Sequence, residues 1–288
     1  MNPQSQRLAF IALIAGGCAL GLSPLFVRIS EVGPTATAFW RVALAVPITL
    51  LLVRGAGERL LPTSPREFLL LAAAGLAFAG DLITWHISIH YTSIANSTLF
   101  ANTAPVWVAL VGWLVLGQRF SRVFLAGMAL AFAGAAVLVG VSVDLGPRAL
   151  IGDGLALITG VCYAGYFLAV KALRRTLGAA AVMLWSSATT AVFVLPAALA
   201  TEPVLLPTSL SGWAIVIGLA AISHTGGQGL IAWALAMLPA AFSSVTLLIQ
   251  PLIAAVLAWV LLGEALSAVQ IAGGALLLTG IWVARRGS

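Results

Sequence analysis

Apolar residues in this chain gather into long runs that short polar breaks separate. A helix needs about 20 apolar residues to cross a hydrocarbon core about 30 Å thick, and ten runs reach that length. The breaks between them, such as VGPT and LLPTSPRE, are rich in Pro and Gly and leave no room for a separate soluble domain. The pattern therefore predicts an all-α integral membrane protein with ten transmembrane helices, at residues 8–29, 35–53, 67–89, 94–116, 121–141, 150–171, 179–200, 212–235, 240–262 and 267–284.

Composition supports a membrane protein and argues against a nucleic-acid binder. Of the 288 residues, 61% are hydrophobic and 8% are charged, whereas soluble domains are roughly 25% charged. The net charge of +6 comes from a few cations that lie between the apolar runs. We therefore expect the lipid bilayer, and no nucleic acid, as the partner of the basic residues. The first run is as long as the others, so it is interpreted as a span rather than a cleaved signal peptide.

The basic residues also predict the orientation of the chain. If the amino terminus is cytoplasmic, Arg28 and Arg148 fall outside, Arg41 lies within a span, and the other eleven Lys and Arg fall inside. These eleven are Arg7, Arg54, Arg59, Arg66, Arg119, Arg122, Lys171, Arg174, Arg175, Arg285 and Arg286. The positive-inside rule favours this arrangement, which places both termini in the cytoplasm. We expect the protein to lie in the cell inner membrane.

Cysteine and histidine give no sign of a metal centre. Cys18 and Cys162 each stand alone in an apolar run, so neither a disulfide framework nor a zinc site is expected. His86 and His90 are four residues apart, but no cysteine or buried acid completes a zinc shell. We expect no cofactor and no metal. Because no phosphate loop or catalytic triad stands out, we do not expect an enzyme.

The turn LGQRFSR at residues 116–122 has a second copy, LGEALSA, at residues 262–268. A shift of 146 residues aligns Pro105 with Pro251 and also aligns the Trp, Gly and Ser positions that follow them. Only the first copy carries arginine. Five helices in each half place the two copies on opposite faces, so we predict an inverted repeat of residues 1–145 and 146–288 with a substrate site between the halves.

The two stretches that carry this pattern, Pro105 to Ser121 and Pro251 to Ser267, resemble the drug/metabolite transporter superfamily, in particular its ten-helix members built from two EamA-type repeats. Within that family the chain looks most similar to exporters of aromatic amino acids. The resemblance implies a transporter of small metabolites in which helices one to four and six to nine surround a cavity, with helices five and ten at the periphery. The family usually has Glu where this chain has Gln118, whereas the second copy keeps Glu264.

Asp81 is an acidic residue well inside a predicted span, where a carboxylate needs a partner or a water-filled cavity. Arg41 lies at a similar depth on the neighbouring span, so one interpretation is a structural ion pair. The other is that Asp81 binds a substrate ammonium group or carries a proton. Trp85 shares the helix face of Asp81 and either forms a cation–π contact with an amine or packs as a core or interfacial tryptophan.

Helices four, six and eight supply further candidate cavity residues. His224 and Gln228 are four residues apart on helix eight, and they either bond other helices or contact substrate. Tyr163 and Tyr166 lie at comparable depth on helix six, and Asn102 is a polar group on helix four. Together with the three residues above, these five form the predicted substrate-binding set.

These observations predict an exporter of small metabolites, above all amino acids including aromatic ones, that works by alternating access. The expected partners are a small-molecule substrate and the lipid bilayer. The oligomeric state, the substrate range and the choice between uniport and proton-coupled antiport stay open. Two alternatives stay open as well: a drug or nucleotide-sugar transporter of the same fold, and a non-transporting membrane scaffold or sensor.

Overall fold

The computed structural model describes residues 3–140, 145–263 and 265–288, and every regular element in that part of the chain is a helix. Ten helical segments within these residues are long and apolar enough to cross a membrane, and we number them spans 1 to 10. They are Gln4–Arg28, Pro34–Gly55, Pro65–Ser88, Ala95–Leu114, Arg122–Val139, Pro147–Leu173, Ala179–Thr201, Leu210–Leu235, Ala240–Leu261 and Ala268–Gly287. The predicted ten spans are confirmed, and every predicted end lies within four residues of the observed one.

Successive spans define two faces of the protein. The terminal face carries both termini and the loops after spans 2, 4, 6 and 8, and the opposite face carries the remaining loops. Eleven Lys and Arg residues lie at the terminal face, whereas Arg28 and Arg148 lie at the opposite face. Glu264, which the second repeat copy keeps, lies outside the described residues. The division of the chain at residues 145 and 146 stays a prediction.

Proline interrupts several of the spans. Span 1 breaks just before Pro24 and span 2 breaks before Pro47. Spans 4 and 9 break shortly before Pro105 and Pro251, the two prolines that the repeat aligns. A proline has no backbone N–H to donate and its ring crowds the preceding turn, so the helix breaks there. Polar backbone groups are thereby freed in the middle of the membrane at matching places in the two halves.

Span 8 contains a π-helix over Leu219–Gln228. The segment LLPTS occurs at residues 60–64 and 205–209, a shift of 145 residues, whereas Pro105 and Pro251 align at 146. The second half therefore holds one extra residue between these points. Hydrogen bonds from i to i+5 place more residues in a turn than an α-helix does. The π-helix thus accommodates the extra residue inside span 8 without shifting the elements on either side.

Spans 5 and 10 pack closely through four glycines, which are Gly127 and Gly134 on span 5 and Gly273 and Gly280 on span 10. A Cβ at any of these glycines would come within 2.6 Å of a backbone nitrogen of the other helix. The two pairs align at a shift of 146, so each helix contributes two equivalent glycines that contact the backbone of the other helix. Gly127 meets Ala284 whereas Gly134 meets Leu277, so the two helices run antiparallel.

A hydrogen-bonded clamp joins spans 2 and 7 at the terminal face. Glu58, which follows span 2, accepts a hydrogen bond of 2.9 Å from the backbone N–H of Ala181 in the first turn of span 7. Trp185 Nε1 donates to the Leu60 carbonyl at 2.7 Å. Gly178 is the N-cap residue just before span 7, and a Cβ there would lie 1.9 Å from the Glu58 carboxyl carbon. The carboxylate thus caps the helix of the other half.

A second clamp at the opposite face repeats these contacts with the halves exchanged. Glu202, which follows span 7, accepts a hydrogen bond of 2.8 Å from the backbone N–H of Thr35 in span 2. Trp40 Nε1 donates to the Leu205 carbonyl at 2.7 Å. A Cβ at Gly33 would lie 1.8 Å from Glu202 Oε2. We call these two sets of contacts the terminal clamp and the opposite clamp.

Candidate substrate cavity

A cavity of about 200 Å³ lies between the two halves. In spans 1 to 4 its lining residues come from the half of each span nearest the opposite face. Spans 5 and 10 contribute none of the described lining residues, as the resemblance implied, but neither does span 7, which it counted among the cavity helices. The lining residues are Leu20, Gly21, Ser23, Pro24, Val27, Ala38, Arg41, Phe78, Asp81, Leu82, Trp85, His86, Thr98, Ala101, Asn102, Thr159, Tyr163, Leu219, Gln228, Gln250, Pro251 and Ala254.

Arg41 and Asp81 bring opposite charges to this cavity from neighbouring spans. Both side chains are half-buried, and each lies within the electrostatic field of the other. Within the described part of the chain, however, no ion pair of 4.0 Å or less joins them. The Arg41 guanidinium carbon lies 5.7 Å from the centre of the Phe78 ring, and its buried Nε has no hydrogen-bond partner. Both charges are therefore available to a ligand.

Trp85 and His86 extend the span 3 wall toward the opposite face. Their rings meet edge to face, 5.0 Å apart between centroids. His86 is 5% exposed, and its Nδ1 lies 2.5 Å from the Leu82 carbonyl oxygen. Among the described residues no group of three His, Cys, Asp or Glu side chains is arranged to hold a metal ion. His86 is thus a cavity residue that the sequence analysis had considered only as a zinc ligand.

Uncharged polar groups form the base of the cavity. Asn102, Tyr163 and Gln250 line both this cavity and a second one of about 20 Å³ that lies toward the terminal face. Asn102 lies in the break of span 4, and its Nδ2 donates to the Thr98 carbonyl at 2.8 Å. Gln228 Nε2 lies 3.5 Å from the Tyr163 hydroxyl, to which it donates. The Gln228–Tyr163 bond joins spans 8 and 6 beneath the charged groups, whereas the Asn102 bond stays within span 4.

Tyr166 and His224 lie behind the cavity wall. The Phe78 ring stacks on both, with centroid distances of 4.7 and 5.5 Å. The Tyr166 hydroxyl lies 3.7 Å from Met183 Sδ, and His224 Nε2 lies 2.9 Å from Ser187 Oγ. His224 therefore makes the interhelical hydrogen bond that was one of its two interpretations. Phe78 separates both residues from the cavity.

The structure brings six of the eight predicted site residues together in one cavity, namely Arg41, Asp81, Trp85, Asn102, Tyr163 and Gln228. The sequence analysis did not place His86, Thr159 or Gln250 in the predicted set, although all three line the cavity. Thr159 precedes Tyr163 by four residues and so shares its helix face, and its hydroxyl lies 2.8 Å from that of Thr84. The four-residue spacing was the signal that could have identified it.

Comparison with known proteins identifies relatives of the whole chain. A sequence profile described as the EamA-like transporter family matches residues 7–140 and residues 150–286. A protein of Streptantibioticus cattleyicolor named "Probable terminal-alkyne amino-acid exporter" is 32% identical over 258 residues, which cover 85% of this chain and 80% of that protein. An "Uncharacterized transporter" of Archaeoglobus fulgidus is 32% identical over 175 residues, covering 58% of this chain and 57% of that protein. One crystal structure aligns with 99% of both chains at a TM-score of 0.81 and 19% identity, so the fold is shared.

Proposed function

Because the chain belongs to the EamA-like transporter family and is a multi-pass membrane protein, we propose that it exports small metabolites, above all amino acids including aromatic ones, by alternating access across the cell inner membrane. The observation that carries this proposal is that Arg41 and Asp81 face one cavity without forming an ion pair. A free amino acid carries the same two charges, a carboxylate and an ammonium group, on one carbon atom.

We assign the substrate carboxylate to Arg41 and the substrate ammonium to Asp81. A guanidinium group matches the planar geometry of a carboxylate and can bind it through two parallel hydrogen bonds. A charge within a membrane is costly unless it is paired. An amino acid pairs both side chains at once, whereas a purely cationic or purely anionic ligand pairs only one of them.

The dimensions and polarity of the cavity favour a small substrate over the alternatives. Pockets for drug-sized ligands have volumes of roughly 300–1,000 Å³, whereas this cavity has about 200 Å³. A nucleotide sugar is larger and carries two phosphates, but Arg41 is the single Lys or Arg among the described lining residues. Leu20, Leu82 and Trp85 offer apolar surface to an aliphatic or aromatic side chain. The name of the exporter from Streptantibioticus cattleyicolor supports the same substrate class.

The paired contacts between the halves support an inverted repeat of residues 1–145 and 146–288. Each clamp uses the same kinds of residues, one at the terminal face and one at the opposite face. Spans 5 and 10 are antiparallel, as the fifth helices of inverted repeats must be. Inverted repeats of this kind allow alternating access when one half rocks against the other. A cavity on the opposite-face side then corresponds to an outward-facing state.

We propose that the terminal face is cytoplasmic, because it carries eleven of the thirteen cations outside span interiors. A reporter fused after Arg286 and one inserted at Arg119–Arg122 should both be accessible from the cytoplasm, whereas a reporter at Ser267 should be accessible from outside. Access to both repeat turns from the same side would contradict the inverted repeat.

Flux measurements on the purified protein in liposomes test the proposed substrate class. We expect transport of L-phenylalanine, L-leucine or L-threonine, and no transport of UDP-glucose or tetraphenylphosphonium. Replacing Trp85 in the cavity with alanine should lower this flux, whereas Trp282→Ala should not, because Trp282 is 52% exposed on span 10. Transport of UDP-glucose or the cation without any amino acid would favour the alternative substrates.

A further inference from the structure

His86, a residue of the span 3 wall of the cavity, has a hydrogen-bond acceptor that no described residue uses. His86 Nδ1 lies 2.5 Å from the Leu82 carbonyl oxygen. Because a carbonyl oxygen only accepts hydrogen bonds, Nδ1 must carry the hydrogen, and Nε2 of the neutral ring presents a lone pair. Nε2 is buried and has no hydrogen-bond partner among the described residues. The Trp85 ring, edge to face with the imidazole at 5.0 Å, further fixes its orientation.

Buried polar atoms without partners are costly, and folded proteins contain few of them. Four such side-chain atoms occur in the described part of the chain. Two of the four, Arg41 Nε and His86 Nε2, belong to residues that line the cavity. One of these atoms is a donor and the other is an acceptor. A ligand that has both a hydrogen-bond acceptor and a hydrogen-bond donor would satisfy this pair of atoms.

We infer that His86 Nε2 accepts a hydrogen bond from the substrate ammonium group, beside Asp81, and thereby selects amino acids over acids that lack an amine. This inference rests on the proposed function. An ammonium group has three donors, so one carboxylate cannot satisfy it or fix its direction. A second, rigid acceptor on the same helix satisfies another of these donors and fixes the direction of the ammonium group, while Arg41 holds the substrate carboxylate. The competing explanation is that His86 only satisfies the Leu82 carbonyl.

Three substitutions at one position separate these roles. In His86→Gln the side-chain amide reaches the position of Nε2, in His86→Asn it reaches only the position of Nδ1, and His86→Phe keeps the ring without either nitrogen. His90→Phe, at an exposed position beyond the end of the same helix, is the control. The probes are L-phenylalanine and 3-phenylpropionate, which differ by the amino group. Isothermal titration calorimetry of the purified full-length protein measures both affinities.

For L-phenylalanine we expect His86→Phe and His86→Asn to weaken binding about tenfold or more, which is the scale of a hydrogen bond to a charged group. His86→Gln and His90→Phe should stay within about threefold of the unsubstituted protein. The affinity for 3-phenylpropionate should change little in every variant. Equal losses for both ligands, or equal behaviour of the Gln and Asn variants, would overturn the inference.

Three further outcomes separate a failure of this inference from a failure of the proposed function. If His86→Phe does not fold, the comparison of the Gln and Asn variants still decides, because both are small and polar. If the unsubstituted protein neither binds nor transports any amino acid, the proposed function itself fails, and this inference fails with it. Amino-acid binding that is indifferent to position 86 rejects only the role of His86.

Discussion

The first and second halves of this protein share their scaffold but differ in the chemistry of their cavity walls. Their helix breaks fall before Pro105 and Pro251, and each half supplies one carboxylate clamp. By contrast, the charged side chains of the cavity, Arg41 and Asp81, both come from the first half. The described lining residues of the second half are all uncharged.

Aligning the halves shows where this difference arises. At a shift of 145 residues, Arg41 corresponds to Ser186 and Asp81 corresponds to Gly226. Under the proposed alternating access, each half adopts the packing of the other, so residues that join helices would be kept in both copies. A single asymmetric ligand needs its charged partners on one wall only. Similarity between the repeats thus marks the scaffold, and departures from it mark the site.

Removing either cavity charge should have the largest effect on transport. We expect Asp81→Asn and Arg41→Gln each to lower amino-acid flux in liposomes at least about 30-fold, since loss of one partner of a buried charge pair costs about 2–5 kcal/mol. If both residues bind substrate, the double variant should fold and remain inactive. Flux and thermal stability of the two single variants and the double variant measure this.

The same three variants also test the structural alternative. If Asp81 and Arg41 mainly neutralise each other, each single change leaves one charge unpaired within the membrane, and the double variant should recover both stability and transport. A fully active Asp81→Asn protein would contradict both interpretations and remove the charge difference between the halves as an explanation of the site.

Substitutions in the glycine contact should destabilise the two halves equally. The new Cβ would lie 2.3 Å from a backbone nitrogen of the partner helix in Gly134→Ala and 2.2 Å from one in Gly280→Ala. These nitrogens belong to the helix backbone, so they cannot rotate away as a side chain could. We expect each to lower the free energy of unfolding by about 1–3 kcal/mol, as overpacking does. Gly154→Ala in span 6 is the matched control, because nothing lies within 4 Å of its Cβ. Thermal unfolding in detergent gives the comparison, and a large effect at only one of the two glycines would contradict the reciprocal contact.

Hydrophobic run lengths were sufficient to predict the ten spans, because a membrane core fixes how long an apolar helix must be. The repeat could be recognised around Pro105 and Pro251, where rare residues recur in order. Asp81 and Arg41 could be singled out because charges in a membrane are rare. Their position in one cavity follows from the spans themselves, since residues at equal depth on neighbouring helices lie close together.

Other features of the site depend on contacts that a single sequence does not display. His224 was included in the predicted set with Gln228, four residues away, but the sequence does not reveal which face of span 8 it occupies, and the π-helix changes the usual periodicity there. The clamps join residues that are far apart in the chain, such as Glu58 and Ala181. Their signal, the repeated LLPTS segment at residues 60–64 and 205–209, is recognisable only when both copies are compared.

The two clamps should contribute equally to stability. We expect Glu58→Gln and Glu202→Gln each to cost about 1 kcal/mol, because each removes a charged cap from the first turn of a helix. The two losses should add in the double variant, since the clamps lie on opposite faces and share no residue. Thermal unfolding midpoints of the three variants measure this. A loss confined to one glutamate would show that the clamps are not equivalent.

Glu31 should give the smallest effect, and one that depends on pH. This exposed residue follows span 1 and accepts hydrogen bonds from the Thr208 hydroxyl and from the Ser209 backbone N–H at 3.1 Å. These bonds, above all the one from Thr208, hold the pKa of Glu31 below its ordinary value. The corresponding position in the second half, at a shift of 145, is the uncharged Thr176.

Because the folded-state pKa of Glu31 is lowered, its contribution to stability is present above the ordinary pKa of glutamate and is lost as the pH falls through the lowered value. We therefore expect Glu31→Gln to unfold at a slightly lower temperature than the unsubstituted protein at neutral pH, with the difference shrinking in acid. Ser211→Ala, an exposed change in the first turn of span 8 that removes no titratable group, should show no such pH dependence. Unfolding midpoints recorded from neutral pH down to below the ordinary pKa of glutamate test this expectation. If the difference between Glu31→Gln and the unsubstituted protein stays constant with pH, the shape of the side chain rather than its charge holds the loop. The halves would then differ less at this face than their sequences indicate.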